Sequence, residues 1–148
     1  MIGEEGMTEA ATLPVVQIVV TATSGHAAIM PTVHAIEAGK CIALAYKETI
    51  VCAGELIIPL AEAHGVALRP VDSEHSAFCQ SLAPGLGGIR RLILTASGGP
   101  FRTFSPEQLG SVTAAQALKH PTWSMGGKLT IDSATQMNKD LEVIEAHW

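Results

Sequence analysis

The feature that most constrains the fold is a pair of apolar runs with one helix-length segment between them. Residues 15–22 form a β-branched run typical of a buried strand. Residues 27–38 then place apolar side chains at helical spacing, and Gly39 supplies a natural helix stop. Residues 41–45 follow as a second short strand. A β-α-β unit of this kind implies a parallel sheet.

The rest of the chain continues this alternation, so the sequence predicts an α/β fold with a change of domain near residue 70. Further predicted elements are a helix over 47–64 kinked at Pro59, a strand over 66–71, a helix over 76–82, a loop over 84–88, a strand over 91–95, two short helices capped by Ser105 and Thr113, a loop over 120–127 and a helix over 132–147.

Composition excludes several classes of protein. Hydrophobic residues make up 47% of the 148 residues, which is incompatible with an intrinsically disordered chain. The net charge is -5 and the nine basic residues are scattered, which argues against a nucleic-acid platform. The longest apolar stretch, near residues 13–22, is too short for a membrane span. The three cysteines are unclustered, so we expect free thiols and no zinc site.

Acidic side chains follow the third predicted strand, where ligands bind in open α/β sheets. Asp72 and Glu74 are two residues apart at that point, and Glu142 on the last helix could supply a third carboxylate. Mg²⁺ and Mn²⁺ prefer oxygen ligands of this type. The alternative is a pair of solvated acids that favour the N-terminal dipole of a helix.

Two further clusters could hold an anion. In residues 97–99 (SGG), a hydroxyl precedes two glycines that allow the backbone to approach a ligand closely. Ser133, Asn138 and Lys139 do not share one helical stripe, so a joint role requires a helix end or a bend. Trp123 lies in a loop with proline and glycine neighbours, where it would either cover a ligand or anchor the core. For residues 97–99 the alternative is an ordinary turn, and for Ser133, Asn138 and Lys139 it is a solvated helix face.

Five stretches together resemble the 1-deoxy-D-xylulose 5-phosphate reductoisomerase family. They are residues 44–48 (LAYKE), 70–75 (PVDSEH), 97–102 (SGGPFR), 120–126 (HPTWSMG) and 131–139 (IDSATQMNK). The resemblance implies an NADPH-dependent oxidoreductase and isomerase of the non-mevalonate pathway to isoprenoids. It would rearrange and reduce 1-deoxy-D-xylulose 5-phosphate to 2-C-methyl-D-erythritol 4-phosphate.

The resemblance also implies residue roles. Asp72, Glu74 and Glu142 would bind Mn²⁺ or Mg²⁺, Glu48 and Gly126 would contact NADPH, and Lys47, Glu74 and His120 would be catalytic. The residues implied to bind the sugar phosphate are Lys47, Ser73, Glu74, Ser97, His120, Ser133, Asn138, Lys139 and Glu142. Residues 120–125 would form a flexible lid, with Trp123 closing over the substrate.

Besides the turn at Gly25, which continues as residues 26–28 (HAA) where the family has Ala-Gly, two positions depart from the family pattern. Tyr46 stands where the family has asparagine, and Asp140 stands where it usually has glycine. These departures motivate an alternative function, a non-catalytic module that binds a metal ion or a sugar phosphate. A third interpretation is an α/β domain whose polar strand ends are merely solvated.

The resemblance predicts how the chain is divided. Residues 1–70 would be the end of a Rossmann-like NADPH-binding domain, and residues 71–148 would belong to an α/β catalytic domain with a mixed sheet, both incomplete. Because no glycine-rich nucleotide-binding turn precedes residue 15, we expect an internal fragment that is inactive alone. The full-length protein would be a homodimer without nucleic-acid or membrane partners, in the bacterial cytoplasm rather than the plastid stroma.

Overall fold

A computed structural model describes residues 2–85 and 87–148. The chain divides into two compact units, unit 1 (residues 1–89 and 144–148) and unit 2 (residues 90–143). Leu86, in the loop predicted over 84–88, lies outside the described residues. No helix within residues 2–85 and 87–148 is both long and apolar enough to span a membrane.

Unit 1 contains a small parallel sheet and its connecting helices. Its elements in chain order are α1 (Gly3–Thr12), β1 (Ile18–Thr21), α2 (Ile29–Glu37), β2 (Cys41–Leu44), α3 (Glu48–His64), β3 (Leu68–Pro70) and α4 (Ser73–Leu82). The strand order is β1-β2-β3, and both pairings are parallel. The predicted β-α-β unit is therefore confirmed. Helix α1 was not predicted from the sequence.

The core of unit 1 forms where α2 and α3 pack with the central strand. Ile36 on α2, Ile42 on β2 and Ile57 on α3 are completely buried, and Ile50 is nearly so. Alternate residues of β2 are buried, as the two-residue period of a strand requires. This packing fixes the register of the strands whose carboxyl ends lead to the polar side chains.

Helix α3 ends as predicted but bends elsewhere. Gly65 adopts a left-handed conformation with φ 63° and ends the helix. The kink expected at Pro59 is wrong, because the helix continues through it and the non-helical residue is Ala53. The neighbouring Gly54 lies so close to the Trp148 indole that a Cβ there would be 2.5 Å from the ring. The bend thus occurs where another side chain crowds the helix, not where the proline lacks its N–H.

Helix α4 begins at Ser73, three residues before its predicted start. The carboxylate of Asp72 accepts hydrogen bonds from the backbone N–H groups of Glu74 and His75, and so caps the helix. The cap satisfies donors at the first turn that would otherwise have no partner. Asp72 and Glu74 are therefore held at a defined helix start.

Unit 2 has helices but no strand among its described residues. Its elements are α5 (Pro106–Leu109), α6 (Ala114–Ala117), α7 (Gly127–Thr135) and α8 (Met137–His147), whose residues from Ile144 onward belong to unit 1. Ser105 and Thr113 cap α5 and α6 through capping boxes, as predicted.

The strand predicted over residues 91–95 is wrong. This segment is exposed and has no regular structure. A strand requires a neighbour to complete its hydrogen-bonded ladder, and the described residues of unit 2 offer none. Described residues after β3 therefore do not form the mixed sheet expected for the second domain.

The single helix predicted over 132–147 is two helices. Gln136 separates α7 from α8 with a left-handed φ of 65°. This is the bend that a joint role for Ser133, Asn138 and Lys139 requires, because it changes the direction in which the two helices present their side chains.

Candidate functional site

The polar side chains of unit 1 centre on the carboxylate of Asp72. The Lys47 ammonium lies 3.0 Å from Asp72 Oδ2, and both side chains are about one-tenth exposed. On the other oxygen, Oδ1 accepts hydrogen bonds from the backbone N–H groups of Glu74 at 3.1 Å and His75 at 3.4 Å. The sequence brings these groups together because Lys47 follows β2 and Asp72 follows the neighbouring parallel strand β3.

These contacts keep Asp72 ionised. Burial alone would raise the pKa of Asp72, but hydrogen bonds from Lys47 and His75 and the positive charge of Lys47 lower the pKa to about 2. Asp72 is therefore a carboxylate at neutral pH, poised beside a positive charge.

Two other predicted residues of unit 1 lie at helix starts. The Ser73 hydroxyl donates to Glu74 Oε2 at 2.6 Å, which sets the orientation of the Glu74 carboxylate. Glu48 is the first residue of α3 and is partly exposed, next to Lys47. The structure thus gathers Lys47, Asp72 and Glu74 at the carboxyl ends of two strands.

A histidine and a glutamate for which the sequence predicted no role lie beside Asp72. His75 Nδ1 lies 3.1 Å from Asp72 Oδ1 and 3.4 Å from Glu145 Oε2. All three side chains are nearly buried, with exposed fractions of 10% for Asp72, 12% for His75 and 6% for Glu145. The position of Glu145 three residues after Glu142 on one helix is the sequence signal that could have identified it.

In unit 2, three predicted residues meet at the loop that follows residue 96. Ser97 Oγ lies 3.2 Å from His120 Nε2 and 3.2 Å from Ser133 Oγ. The backbone N–H groups of Thr122 and Trp123 donate to His120 Nδ1 at 3.1 and 2.9 Å. Because Nδ1 accepts these bonds, the neutral ring carries its hydrogen on Nε2 and donates toward Ser97.

Gly99 allows this loop to press against α7. Its φ is 61°, and a Cβ there would lie 2.9 Å from the backbone oxygen of Ser133. Only glycine tolerates both the left-handed conformation and this close approach. The predicted anion-holding turn is thus fixed directly against the helix that carries Ser133.

The other predicted substrate residues lie at the start of α8. The Asn138 side-chain amide donates to Glu142 Oε1 at 2.6 Å, and the Lys139 ammonium donates to Glu142 Oε2 at 2.7 Å. Ser97, Ser133, Asn138 and Lys139 line one small polar pocket. The pocket has a volume of about 10 Å³, room for about one water molecule. The hydroxyl, amide and ammonium groups around it are donor types that suit an oxyanion such as a phosphate.

The remaining predicted residues of unit 2 are exposed. Trp123 is 61% exposed in the loop over residues 120–125, so it does not anchor the core. Gly126 is the exposed N-cap of α7. Asp140 is also exposed, while Tyr46 in unit 1 is partly buried.

The carboxylates suit a divalent cation in their chemistry. Asp72 and Glu74 offer carboxylate oxygens, the ligands preferred by Mg²⁺ and Mn²⁺. The low pKa of Asp72 keeps it deprotonated, as metal binding requires. The Lys47 ammonium at Asp72 Oδ2 shows that this oxygen already faces positive charge.

Two family models match the chain. Residues 68–148 match the 1-deoxy-D-xylulose 5-phosphate reductoisomerase C-terminal domain, and residues 1–54 match the 1-deoxy-D-xylulose 5-phosphate reductoisomerase model. Together they cover most of the chain, and the first alone covers more than half of it.

Similar proteins carry the same name. The 1-deoxy-D-xylulose 5-phosphate reductoisomerase of Geobacillus sp. (strain WCH70) is 58% identical over 147 residues, which are 99% of this chain and 39% of that protein. The Chlorobium chlorochromatii (strain CaD3) enzyme of the same name is 61% identical over 147 residues, 99% of this chain and 38% of that protein. The chain therefore spans about two fifths of the length of the curated relatives it matches.

A solved structure shares the fold. A crystal structure of DOX-P reductoisomerase in complex with NADPH, fosmidomycin and magnesium superimposes with a TM-score of 0.82 at 44% identity. The match covers 97% of this chain and 38% of that one. The α/β architecture with its small parallel sheet is thus that of a solved relative.

Proposed function

The chain belongs to the 1-deoxy-D-xylulose 5-phosphate reductoisomerase family, and from this premise we propose what the whole protein does. It rearranges and reduces 1-deoxy-D-xylulose 5-phosphate to 2-C-methyl-D-erythritol 4-phosphate with NADPH, in isoprenoid precursor biosynthesis. The observation that carries the proposal is the polar pocket lined by Ser97, Ser133, Asn138 and Lys139.

The side chains that line this pocket bind the phosphate of the substrate at its mouth. The Lys139 ammonium supplies positive charge, and the two serine hydroxyls and the Asn138 amide supply directional donors. His120 adds an Nε2–H donor beside Ser97, because its Nδ1 is held by two backbone N–H groups. Binding at this remote phosphate orients the reacting end of the sugar.

The family resemblance assigns metal binding to Asp72, Glu74 and Glu142. The ionised state of Asp72 supports its part in this set. A bound Mn²⁺ or Mg²⁺ supplies Lewis-acid polarisation of the substrate carbonyl. Ser73 orients Glu74 through its 2.6 Å hydrogen bond, and both residues contact the substrate in this proposal.

Lys47 neutralises negative charge that develops on the substrate oxygens. Its ammonium lies 3.0 Å from Asp72 Oδ2 and is only about one-tenth exposed, so its position is set before substrate arrives. Glu48 and Gly126 contact NADPH, which supplies the hydride. Trp123, exposed at the tip of the loop, closes over the substrate and excludes water.

The organisation of the whole protein follows from the same membership. Residues 1–70 are the end of a Rossmann-like NADPH-binding domain, and residues 71–148 form part of the catalytic domain, whose mixed sheet needs strands beyond this segment. The protein is a homodimer acting on a small sugar phosphate. The relatives named above are bacterial, which supports a bacterial cytoplasmic location.

A chimera tests this function. The 147 matched residues of the Geobacillus enzyme are replaced by this chain, and NADPH consumption is followed with 1-deoxy-D-xylulose 5-phosphate and Mn²⁺. We expect turnover that requires both additions, and no robust turnover from the 148-residue chain alone. Lys139→Met in the chimera raises the KM for substrate at least tenfold, whereas Lys119→Met, at an exposed lysine, leaves it unchanged.

Two results would contradict the proposal. A folded chimera that binds Mn²⁺ and the sugar phosphate without turnover identifies the segment as a non-catalytic binding module. An unchanged KM in the Lys139→Met chimera removes the phosphate pocket from the mechanism.

A further inference from the structure

The turn between α7 and α8 brings a glutamine to the phosphate pocket for which the family resemblance implies no role. Gln136 belongs to unit 2 and lies on the wall of this pocket. The residues that share the wall with it are Ala96, Ser97, Ser133, Asn138 and Lys139. Because Gln136 is exposed, its side chain can reach an anion that arrives at the mouth of the pocket from solvent.

The backbone of Gln136 adopts a conformation that its residue type disfavours. Its φ is 65° and its ψ is 1°, and within the part of the chain that the structure describes it is the only non-glycine residue with a positive φ. The Cβ of an L-residue crowds the carbonyl oxygen in this conformation, so glycine is the ordinary choice at such a helix end. Strained residues of this kind persist where the surrounding structure holds them, often at ligand sites.

The side-chain amide of Gln136 is anchored on the backbone of α7. Its Nε2 donates to the Ser133 backbone oxygen at 3.2 Å. Because that oxygen only accepts hydrogen bonds, the nitrogen of the amide and not its oxygen must face it. The same Ser133 oxygen lies against Gly99, where a Cβ would be 2.9 Å away. The amide is thus held where the glycine turn meets α7.

The amide has one more donor than this anchor uses. An amide nitrogen carries two hydrogens, and the bond to the Ser133 oxygen takes one of them. The hydroxyl oxygens of Ser97 and Ser133, two of the proposed phosphate donors, lie 3.2 Å apart on the same pocket. A phosphate has several strong acceptor oxygens and can accept from a further donor beside them.

We propose that Gln136 is a further phosphate-binding residue of this site, which donates its second amide hydrogen to the anion at the mouth of the pocket. The inference rests on the phosphate-binding role of Ser97, Ser133, Asn138 and Lys139 in the proposed function. The bond to the Ser133 oxygen fixes the amide before the anion binds, so less side-chain freedom is lost on binding. The neutral amide adds a directed donor without adding charge.

Calorimetric titration of the 148-residue chain with inorganic phosphate tests the proposal. Gln136→Glu keeps the length of the side chain and replaces its amide donors by a negative charge. We expect this variant to bind phosphate at least about tenfold more weakly, with a loss that shrinks at high salt. Gln80→Glu, at an exposed glutamine on α4, makes the same change in net charge and leaves the affinity within about twofold.

Gln136→Gly separates binding from stability. It removes the amide and also relieves the left-handed strain of the backbone. We expect phosphate binding to weaken about threefold to tenfold, as the loss of one hydrogen bond implies, while the urea midpoint is no lower than that of the native chain. Gln136→Ala, which removes the amide and keeps the Cβ, gives the same loss of affinity. The Gln136→Gly variant carries the test if Gln136→Ala does not fold.

The side-chain amide resonances report the contact itself. In a ¹⁵N–¹H spectrum, the Gln136 pair is identified as the one that disappears in Gln136→Glu. We expect one hydrogen of this pair to shift downfield as phosphate is added, with the dissociation constant found by calorimetry, while the Gln80 pair stays in place. A Gln136 pair that does not move while phosphate binds would overturn the proposal.

The outcomes separate the role of Gln136 from the phosphate site itself. If the native chain does not bind phosphate, or if Lys139→Met binds it equally well, the phosphate site of the proposed function is wrong and the role of Gln136 with it. If Lys139→Met weakens binding but neither Gln136→Glu nor Gln136→Gly does, only the role of Gln136 is overturned. A loss of affinity in Gln136→Gly that comes with a lower urea midpoint would also overturn it, because the residue would then act through stability.

Discussion

Replacing Asp72 with asparagine removes the charge of this side chain and keeps its shape. Asparagine caps helices about as well as aspartate, so the start of α4 is preserved. What is lost is the attraction between the carboxylate and Lys47, which lies 3.0 Å from Oδ2. The variant therefore separates the ionic contribution of Asp72 from its capping contribution.

The magnitude follows from the pKa. Asp72 has a pKa of about 2 in the folded chain against its ordinary value of 3.8. A difference of about two units corresponds to roughly 2–3 kcal/mol of unfolding free energy, and solvent screening reduces this to about 1–2 kcal/mol. Because the folded pKa is the lower one, this stabilisation is complete above pH 5 and is lost as the pH falls from about 4 toward 2.

Urea unfolding of the metal-free chain, followed by circular dichroism with EDTA present, measures this difference. We expect Asp72→Asn to be about 1–2 kcal/mol less stable than the native chain at pH 6, with about half of the gap gone at pH 3. Asp140→Asn, at an exposed aspartate, makes the same change in net charge and shifts stability by less than about 0.5 kcal/mol. A gap independent of pH, or one no larger than that of Asp140→Asn, would refute the ionic account.

Two further predictions concern packing. Ile57→Ala leaves a cavity at a completely buried position and lowers the unfolding free energy by about 2–5 kcal/mol in urea titrations. Leu56→Ala, at a side chain that is 55% exposed, lowers the unfolding free energy by less than about 1 kcal/mol. Equal losses would contradict the assigned core. Gly99→Ala places a Cβ 2.9 Å from the Ser133 backbone oxygen at a left-handed φ, and lowers the unfolding free energy by about 1–3 kcal/mol in the same assay. Gly110→Ala, at a φ of -63°, leaves the unfolding free energy nearly unchanged. An unchanged stability of Gly99→Ala would show that the loop does not pack against α7.

The sequence predicts best those features whose determinants are local. The strands of the β-α-β unit and the capping boxes at Ser105 and Thr113 depend on neighbouring residues, and the structure contains them. The first strand, however, is shorter than the run over residues 15–22, and Ile18 and Val20 on it are exposed rather than buried. The early start of α4 is also local in cause, since Asp72 caps it, which agrees with the alternative interpretation of Asp72 and Glu74 as acids at a helix start.

The wrong predictions depend on residues distant in the chain. Residues 91–95 have the composition of a strand, yet a strand also needs a paired neighbour that composition does not reveal. The bend of α3 lies at Ala53 beside Gly54, against Trp148 almost a hundred residues later. No local pattern around Pro59 contains that contact.

For the candidate site, the sequence predicts which types of residue take part, and the structure shows which of them contact one another. Lys47 and Asp72 meet because parallel β2 and β3 end side by side, which the β-α-β pattern implies. The contact of His75 with Glu145 could not be predicted in this way, because it depends on where α8 ends against α4. That Trp123 does not anchor the core likewise became clear only from its exposure.

The arrangement of the sheet has a consequence for handling the chain in solution. Among the described strands, β1 has a hydrogen-bonded neighbour on one side only, and Ile18 and Val20 on it are each about 60% exposed. An apolar strand edge of this kind is a template on which a second molecule can add its own strand. Self-association should therefore increase with protein concentration. We expect Val20→Lys, which places a positive charge on this strand, to keep the purified chain monomeric.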